Sequence, residues 1–297
     1  MAIFKTYEQV GLKENVSSLI SDITPSDCPF YTMIKTEKVN NRVYQYQTDT
    51  IASAGSNAQL EGFTASAGTA IPTTMISGNT QVLAKVFEVS STAESVSAYG
   101  RASETALQLS KALREIKRDA EYAMVGASNA AVTGNATTAR EMASADVLID
   151  SSTSVDAGSN ATDALTEAKL LDAMQAAYNE GAEPSVMMCK PADSLVLAGF
   201  TGSSGRTRNF NDNTKTLTHV VDLYVSPFGE YKTVLNRHQM TTHLFLLDPQ
   251  MWRTAELRPF TRTALAVTGD SQRHMVVGEI GLMHKNPKGS AMVTGLS

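Results

Sequence analysis

The sequence predicts an α+β protein organised around one long helix, and three observations carry that prediction. Residues 91–126 are charge-rich and strongly helical, with apolar residues recurring at helical spacing. Residues 37–90 place two strand-like runs on either side of a long stretch of small residues, the pattern of a long β-hairpin. From Ala164 onward helical and strand-like segments alternate, with turn signals that favour antiparallel pairing.

Residues 1–36 read as an arm. Val16, Leu19, Ile20 and Ile23 lie at helical spacing within 7–23, and Pro25 and Pro29 then interrupt, because each proline pushes its predecessor out of the helical region. Phe30, Tyr31, Met33 and Ile34 follow as an apolar anchor that suits its own core or a neighbour's surface. Residues 41–49, with Tyr44 and Tyr46 on one face, and residues 80–90 read as strands. Of the 30 residues in 50–79, 19 are Ala, Ser, Gly or Thr, and the only charge is Glu61. A connection so long without structure of its own is either functional or disordered, and the residues alone leave both readings open. Leu60, Phe63, Ile71, Met75 and Ile76 give it apolar contact points.

In the long helix Ser91 and Glu94 have capping-box spacing, and Gly126 is the expected stop. Ala102, Ala106, Leu109, Leu113, Ile116, Ala120 and Ala123 form a narrow apolar stripe. Lys111, Arg114, Glu115, Lys117, Arg118, Asp119 and Glu121 are expected on the solvated side. Lys111–Glu115 and Lys117–Glu121 are i,i+4 pairs worth a few tenths of a kcal/mol each. Gly100 weakens the helix by about 1 kcal/mol, so it starts at the cap or restarts near Arg101. From Arg101 it would span roughly 40 Å. Residues 127–163 read as loops between two lobes, with a short strand at 145–150. A helix over 165–180 follows, with Leu171, Met174 and Tyr178 on one face and Gly181 as its stop. Then come a strand at 185–189, a helix opened by Pro191, and a polar loop at 201–216 carrying Arg206 and Arg208. Strands at 220–225 and 231–235 flank a turn at 226–229. Strands at 244–247, 251–257, 263–267 and 273–284 complete the chain.

The 297 residues suffice for one large domain or two ordinary ones, and a net charge of −5 disfavours tight binding to a nucleic-acid backbone. No secretory signal opens the sequence and no segment approaches the roughly 18 apolar residues of a membrane span, so a soluble, cytoplasmically made protein without membrane contact is expected. Cys28 and Cys189 sit in no metal-like spacing and are expected as reduced thiols. There is no phosphate loop, no strand-flanked glycine fingerprint and no nucleophile elbow. His238 and His243 are the one weak candidate pair for a metal, and Asp248 and Asp270 suit turns better than catalysis. No enzyme, cofactor or metal is expected.

Four stretches carry a resemblance: 6–17 (TYEQVGLKENVS) with 21–25 (SDITP); 100–104 (GRASE) through 117–123 (KRDAEYA); 221–229 (VDLYVSPFG) with Asn236 and Arg237; and 247–252 (LDPQMW) through 257–260 (LRPF), 268–270 (TGD) and 286–288 (NPK). In this order and spacing the chain resembles the major capsid (major head) proteins of tailed bacteriophages over nearly its whole length. The resemblance implies the Hong Kong-97-type capsid fold: an N-terminal arm at 1–36, an extended loop at 37–90, a peripheral domain with a spine helix at 91–160, an axial domain at 161–245 and a return to the peripheral domain at 246–297. Within it a helix restart at Arg101 is favoured, with 91–99 as the joint between hairpin and spine.

The implied function is structural. Copies would self-assemble as hexamers and pentamers of an icosahedral shell around double-stranded DNA, in the virion, after synthesis in the bacterial cytoplasm. Because the arm begins at Met1, a large scaffolding segment was removed or scaffolding is a separate protein; a portal and a decoration or cement protein are further implied partners, and contact with the DNA is weak and non-specific. Candidate intersubunit contacts are Phe30, Tyr31, Leu60, Glu61, Phe63, Ile71, Met75, Arg206 and Arg208. Arm and hairpin laid over neighbours would each bury on the order of a thousand Å², and removing residues 1–30 is expected to abolish assembly while leaving a soluble subunit. Some relatives crosslink subunits through an extended-loop lysine. No lysine lies between Lys38 and Lys85 here, so denaturing gels of mature particles should show a single monomer band, and a ladder of oligomers would refute this. The rivals are an encapsulin-like shell of the same fold, a tail or decoration protein, and an α/β enzyme using 160–297.

Overall fold

The computed structural model describes residues 27–64, 68, 70–97, 100, 102–158, 163–200, 223–267 and 269–296. The amphipathic run within 7–23, Arg101 and the loop bearing Arg206 and Arg208 lie outside these residues.

The arm joins the body in a single helical turn, α1 (Pro29–Met33), followed by β1 (Lys35–Lys38). β2 (Val43–Thr48) and β3 (Thr74–Asn79) form an antiparallel hairpin, in register from Val43↔Asn79 to Thr48↔Thr74. Buried Thr80 then leads directly into β4 (Gln81–Ser90), which leaves the hairpin. The expected hairpin over 37–90 is therefore shortened at both ends, because β1 and β4 are the two edge strands of a body sheet. Packing decides this: Leu83 and Phe87 of β4 are needed to cover Ala112 and Ile116 of the long helix.

That helix is built in pieces. α2 (Ser91–Ser95) is one turn, α3 (Glu104–Glu121) is the long rod, and a π-helical turn, Tyr122–Gly126, ends it. The expected capping box is not used. Ser90 caps α2, its Oγ accepting from Ala93 N at 3.2 Å. Glu94 reaches forward instead, accepting from Thr105 N (3.0 Å) and from the hydroxyls of Ser103 (2.7 Å) and Thr105 (3.0 Å). Ser103 caps α3, accepting from Ala106 N at 3.2 Å, so the restart falls three residues beyond Arg101. Gly100, at φ +75°, supplies the left-handed break between the two helices. The buried face is Ala112, Ile116, Ala120 and Ala123 with Glu121, Met124 and Val125. Ala106 and Leu113 are exposed, because the sheet residues Leu83, Phe87 and Phe260 approach on the side of Leu109, Ala112 and Ile116. On the sheet-facing flank Asp119 pairs with Lys85 at 2.7 Å.

The strand expected at 145–150 is replaced by a helical turn: α4 (Ala145–Leu148) starts beside Ser144, whose hydroxyl ties back to Asn129 O at 3.1 Å. The strand comes later, as β5 (Ser154–Asp156). α5 (Glu167–Asn179) ends at Gly181, φ +82°, and buries Leu170, Ala173, Met174 and Ala177, whereas Tyr178 is exposed. β6 (Val186–Cys189), α6 (Pro191–Gly199), β7 (Leu223–Ser226), β8 (Gly229–Leu235) and β9 (Leu244–Leu247) follow. Where two strands were expected at 251–257 and 263–267, a single long β10 (Trp252–Ala264) runs through register shifts around Arg258. β11 (Ser271–His284) and β12 (Ala291–Thr294) complete the chain.

Two sheets result. One has the order β1-β10-β11-β4 and carries α3 on one face. The other has the order β5-β12-β9-β6-β8-β7 and packs α5 and α6 through Leu170, Met174 and Leu197. A core of Phe30, Met124, Met142, Phe245 and Trp252 fills the junction between them. Among the described residues no helix is long and apolar enough to cross a membrane.

Candidate functional site

Three regions hold or present the projecting parts of the chain: the anchor of the arm, the root of the hairpin and its tip. The anchor is a carboxylate. Glu121, at the end of α3, is buried, and three N–H donors meet its carboxylate. Its Oε1 accepts from Phe30 N (3.0 Å) and Asn236 Nδ2 (2.6 Å), and its Oε2 from Tyr31 N (2.7 Å). Burial pushes its pKa above the ordinary carboxylate value, against the opposing pull of those donors. Phe30 is wholly buried and meets Trp252 edge-on at 5.6 Å, and Lys117 Nζ lies 5.8 Å above the Tyr31 ring. Behind them Trp252 stacks on His284 at 3.9 Å and donates from Nε1 to Ser290 Oγ at 3.0 Å. His284 fits one tautomer: Nδ1–H donates to Leu148 O (3.3 Å) and Nε2 accepts from the Ser290 hydroxyl (3.1 Å). Burial holds its pKa down at about 4.

The hairpin root is held by Tyr44 and Thr80. The Tyr44 hydroxyl donates to Leu282 O, and its ring lies so close to Gly78 and Gly281 that a Cβ at either would sit 2.4 Å or 2.8 Å from it. Thr80 Oγ1 donates to Glu279 Oε1 at 2.8 Å. Glu279 also pairs with Arg140 from the 127–144 segment and with Arg258 Nε at 3.1 Å. One buried carboxylate thus ties hairpin, loop and both long strands together.

At the tip, between β2 and β3, Ile51 is 95% exposed, Leu60 85% and Phe63 60%; Ile71 and, in β3 itself, Met75 are about half exposed, and Glu61 is exposed. Among the described residues a turn closed by Phe63 N to Leu60 O at 3.1 Å and short side-chain bonds such as Gln59 Nε2 to Asn57 Oδ1 at 3.3 Å order this segment locally. Of the candidate contacts, Leu60, Glu61, Phe63, Ile71 and Met75 are therefore free to meet a neighbour, and Tyr31 is part-buried under Lys117. Phe30 is not free, because its ring is consumed by its own core; Arg206 and Arg208 lie outside the described residues. Glu121, Asn236, Thr80 and Glu279 escape a sequence reading. Glu121 sits inside a charged run, and its only hint is that Ala120 and Ala123 flank it.

Among the described residues no three His, Cys, Asp or Glu side chains converge as a metal group. His243 stacks on Phe245 at 5.9 Å with Nδ1 2.8 Å from Thr242 Oγ1. Cys28 and Cys189 are unbridged, and burial pushes their thiols up to about 11 and about 12.

The comparisons agree with this architecture. The family model described as SU10 major capsid protein matches residues 3–297. A major capsid protein of Escherichia phage Phieco32 is 30% identical over 338 aligned positions, covering 98% of this chain and 96% of the relative. The capsid of a native GTA particle superposes with a TM-score of 0.70 at 9% identity, over 98% of each chain. The phage G capsid, solved as gp27 major capsid proteins with gp26 decoration proteins, gives 0.60 at 11% identity, over 96% of this chain and 98% of that one. With its whole length matched by family model, relative and fold, this chain belongs to the SU10 major capsid protein family and has the Hong Kong-97-type capsid fold.

Proposed function

We propose that this chain forms, as hexamers and pentamers, the icosahedral head shell that encloses packaged double-stranded DNA, and that it does so without catalysis. As a major capsid protein its place is the shell of the virion; synthesis in the host cytoplasm belongs to the proposal. The observation that carries the reading is the hairpin tip, which offers Ile51, Leu60 and Phe63 to solvent on a segment with almost no contacts of its own. Apolar side chains so exposed suit a surface that is covered on association. The arm is the second proposed contacting element, on its sequence alone, and Leu60, Glu61, Phe63, Ile71, Met75 and Tyr31 are the proposed contacts between copies.

In the fold's terms the proposed parts are the arm, the extended loop rooted at Tyr44 and Thr80, a peripheral domain of α3 with the four-stranded sheet, and an axial domain of the six-stranded sheet. The last strand, β12, serves the axial sheet, so the return of the chain after residue 246 is shared between the two domains. A separate scaffolding protein and a portal are proposed partners. The phage G capsid, solved with its decoration proteins, supports a decoration or cement partner. With a net charge of −5 the wall touches DNA loosely. The relative at 30% identity favours a phage head over an encapsulin-like compartment, a distinction the fold alone does not make.

Electron microscopy of the chain expressed alone and with its scaffolding protein tests the reading. Closed shells, sheets or tubes are expected; monomers under both conditions overturn it, and particles filled with protein cargo in place of DNA favour the compartment.

A further inference from the structure

The geometry points to Glu121 as the residue that positions the arm for assembly, an inference that rests on the shell-forming reading above. The local sequence leaves α1 in need of help. It is a five-residue turn, too short to persist alone. Its leading N–H groups lie beyond the reach of intrahelical carbonyls. Pro29 removes one donor, and Cys28 at the N-cap makes no side-chain capping bond. The two donors that follow, Phe30 N and Tyr31 N, both point into the Glu121 carboxylate, from 91 and 90 residues away. Glu121 is thus a remote cap for this turn, and the turn exists where Glu121 is.

The third bond gives the cap a direction. Asn236 follows β8 of the six-stranded sheet, and its Nδ2 shares Oε1 with Phe30. Asn236 is itself fixed, because its Oδ1 accepts from His238 N at 2.8 Å. Met240 N reaches Val125 O at 2.9 Å, and the His238 carbonyl lies close against Gly126. Arm, long helix and six-stranded sheet therefore meet on one carboxylate, and the chain leaves this point at Asp27 in one orientation relative to both sheets. Closed symmetric assembly requires every copy to offer the same patch in the same direction. An arm leaving at a variable angle would bind neighbours out of register.

Two variants and one control test this on the full chain. In Glu121→Gln, the oxygen in the Oε1 position keeps the bonds to Phe30 N and Asn236, while the amide nitrogen faces Tyr31 N–H. Glu121→Ala removes all three bonds. Val276→Ala opens a cavity under α3 without touching the arm. Site-resolved amide exchange is read on unassembled subunits, and shells are counted by electron microscopy. Glu121→Gln should lose about tenfold protection at Tyr31 while Phe30 and Ile280 hold, the size of one lost hydrogen bond. Glu121→Ala should lose it at both arm amides and give at least about tenfold fewer closed shells, with Val276→Ala assembling normally. Equal protection loss along β11, or wild-type shell yield from Glu121→Ala, overturns the proposal. If Glu121→Ala does not fold, the Tyr31-selective loss in Glu121→Gln decides. If wild type forms no shells, the shell reading falls while the exchange pattern still tells whether Glu121 holds the arm.

Discussion

Glu279 and Arg258 form one ion pair but carry unequal weight. Glu279 is buried with Thr80 and Arg140 on the same carboxylate, whereas the Arg258 side chain is 58% exposed. Glu279→Ala strands Arg140, while the Thr80 hydroxyl still has Arg42 O at 3.2 Å, and should cost about 3–5 kcal/mol in urea denaturation of the subunit. Arg258→Ala should cost less than about 1 kcal/mol, because solvent already screens it. His284 gives a pH prediction. The folded chain refuses its proton until about pH 4, whereas the unfolded chain takes it near the ordinary histidine value of 6.5. This contribution is therefore present above pH 6.5 and lost as pH falls through that window, by about 3 kcal/mol in all. The difference between wild type and His284→Gln in urea midpoints measured from pH 7.5 to 4 isolates it; a flat difference would contradict the assignment. The legibility of single residues follows their chemistry. Phe30 is readable as an anchor because it heads an apolar cluster after two prolines. Glu121 is not, because burial of a charge depends on donors about 90 and 115 residues away.

The long helix shows what periodicity can and cannot resolve. Its existence and its end at Gly126 follow from composition, but the reason for that glycine does not. A Cβ there would stand 2.4 Å from the His238 carbonyl oxygen. Gly126→Ala thus sets a helix-propensity gain of up to about 1 kcal/mol against an overpacking cost of about 1–3 kcal/mol. A lower melting temperature is expected, and a higher one would show that the close approach is slack. Strand positions were similarly legible at 185–189, 244–247 and 273–284, and the last begins two residues earlier, at Ser271. Their partners were not. β4 alternates well enough to pair with β2, yet it joins β11, because only there does its Leu83–Phe87 face meet α3. The stripe on α3 was misplaced for the same reason: the helix turns toward whichever sheet covers it, and the sheet lies far away in sequence.

At the scale of the molecule, arm and hairpin are separable from the body only up to a point. Removing 1–26 leaves Asp27 onward and should leave thermal melting unchanged while abolishing closed shells. Removing 1–34 also deletes Phe30 and Ile34 from the core and should cost about 3–5 kcal/mol of subunit stability. Removing 1–30, expected above to leave a soluble subunit, takes Phe30 out of that core as well. A truncation of 1–26 that still builds normal shells would remove the arm from the assembly mechanism. The anchors of these projecting parts share one more property. Phe30 rests on Trp252, Tyr44 bonds Leu282 and Thr80 bonds Glu279, while β1 pairs with residues 253–256. Apart from Glu121 and its neighbours on the long helix, these anchors are translated last. A nascent chain therefore has an incomplete seat for its arm and no root for its hairpin until the final fifty or so residues have left the ribosome, and such distant pairings also close slowly. Chains broken off short of β10 would lack Trp252 behind the arm and both hairpin anchors, so entry into the wall is reserved for copies synthesised to the end.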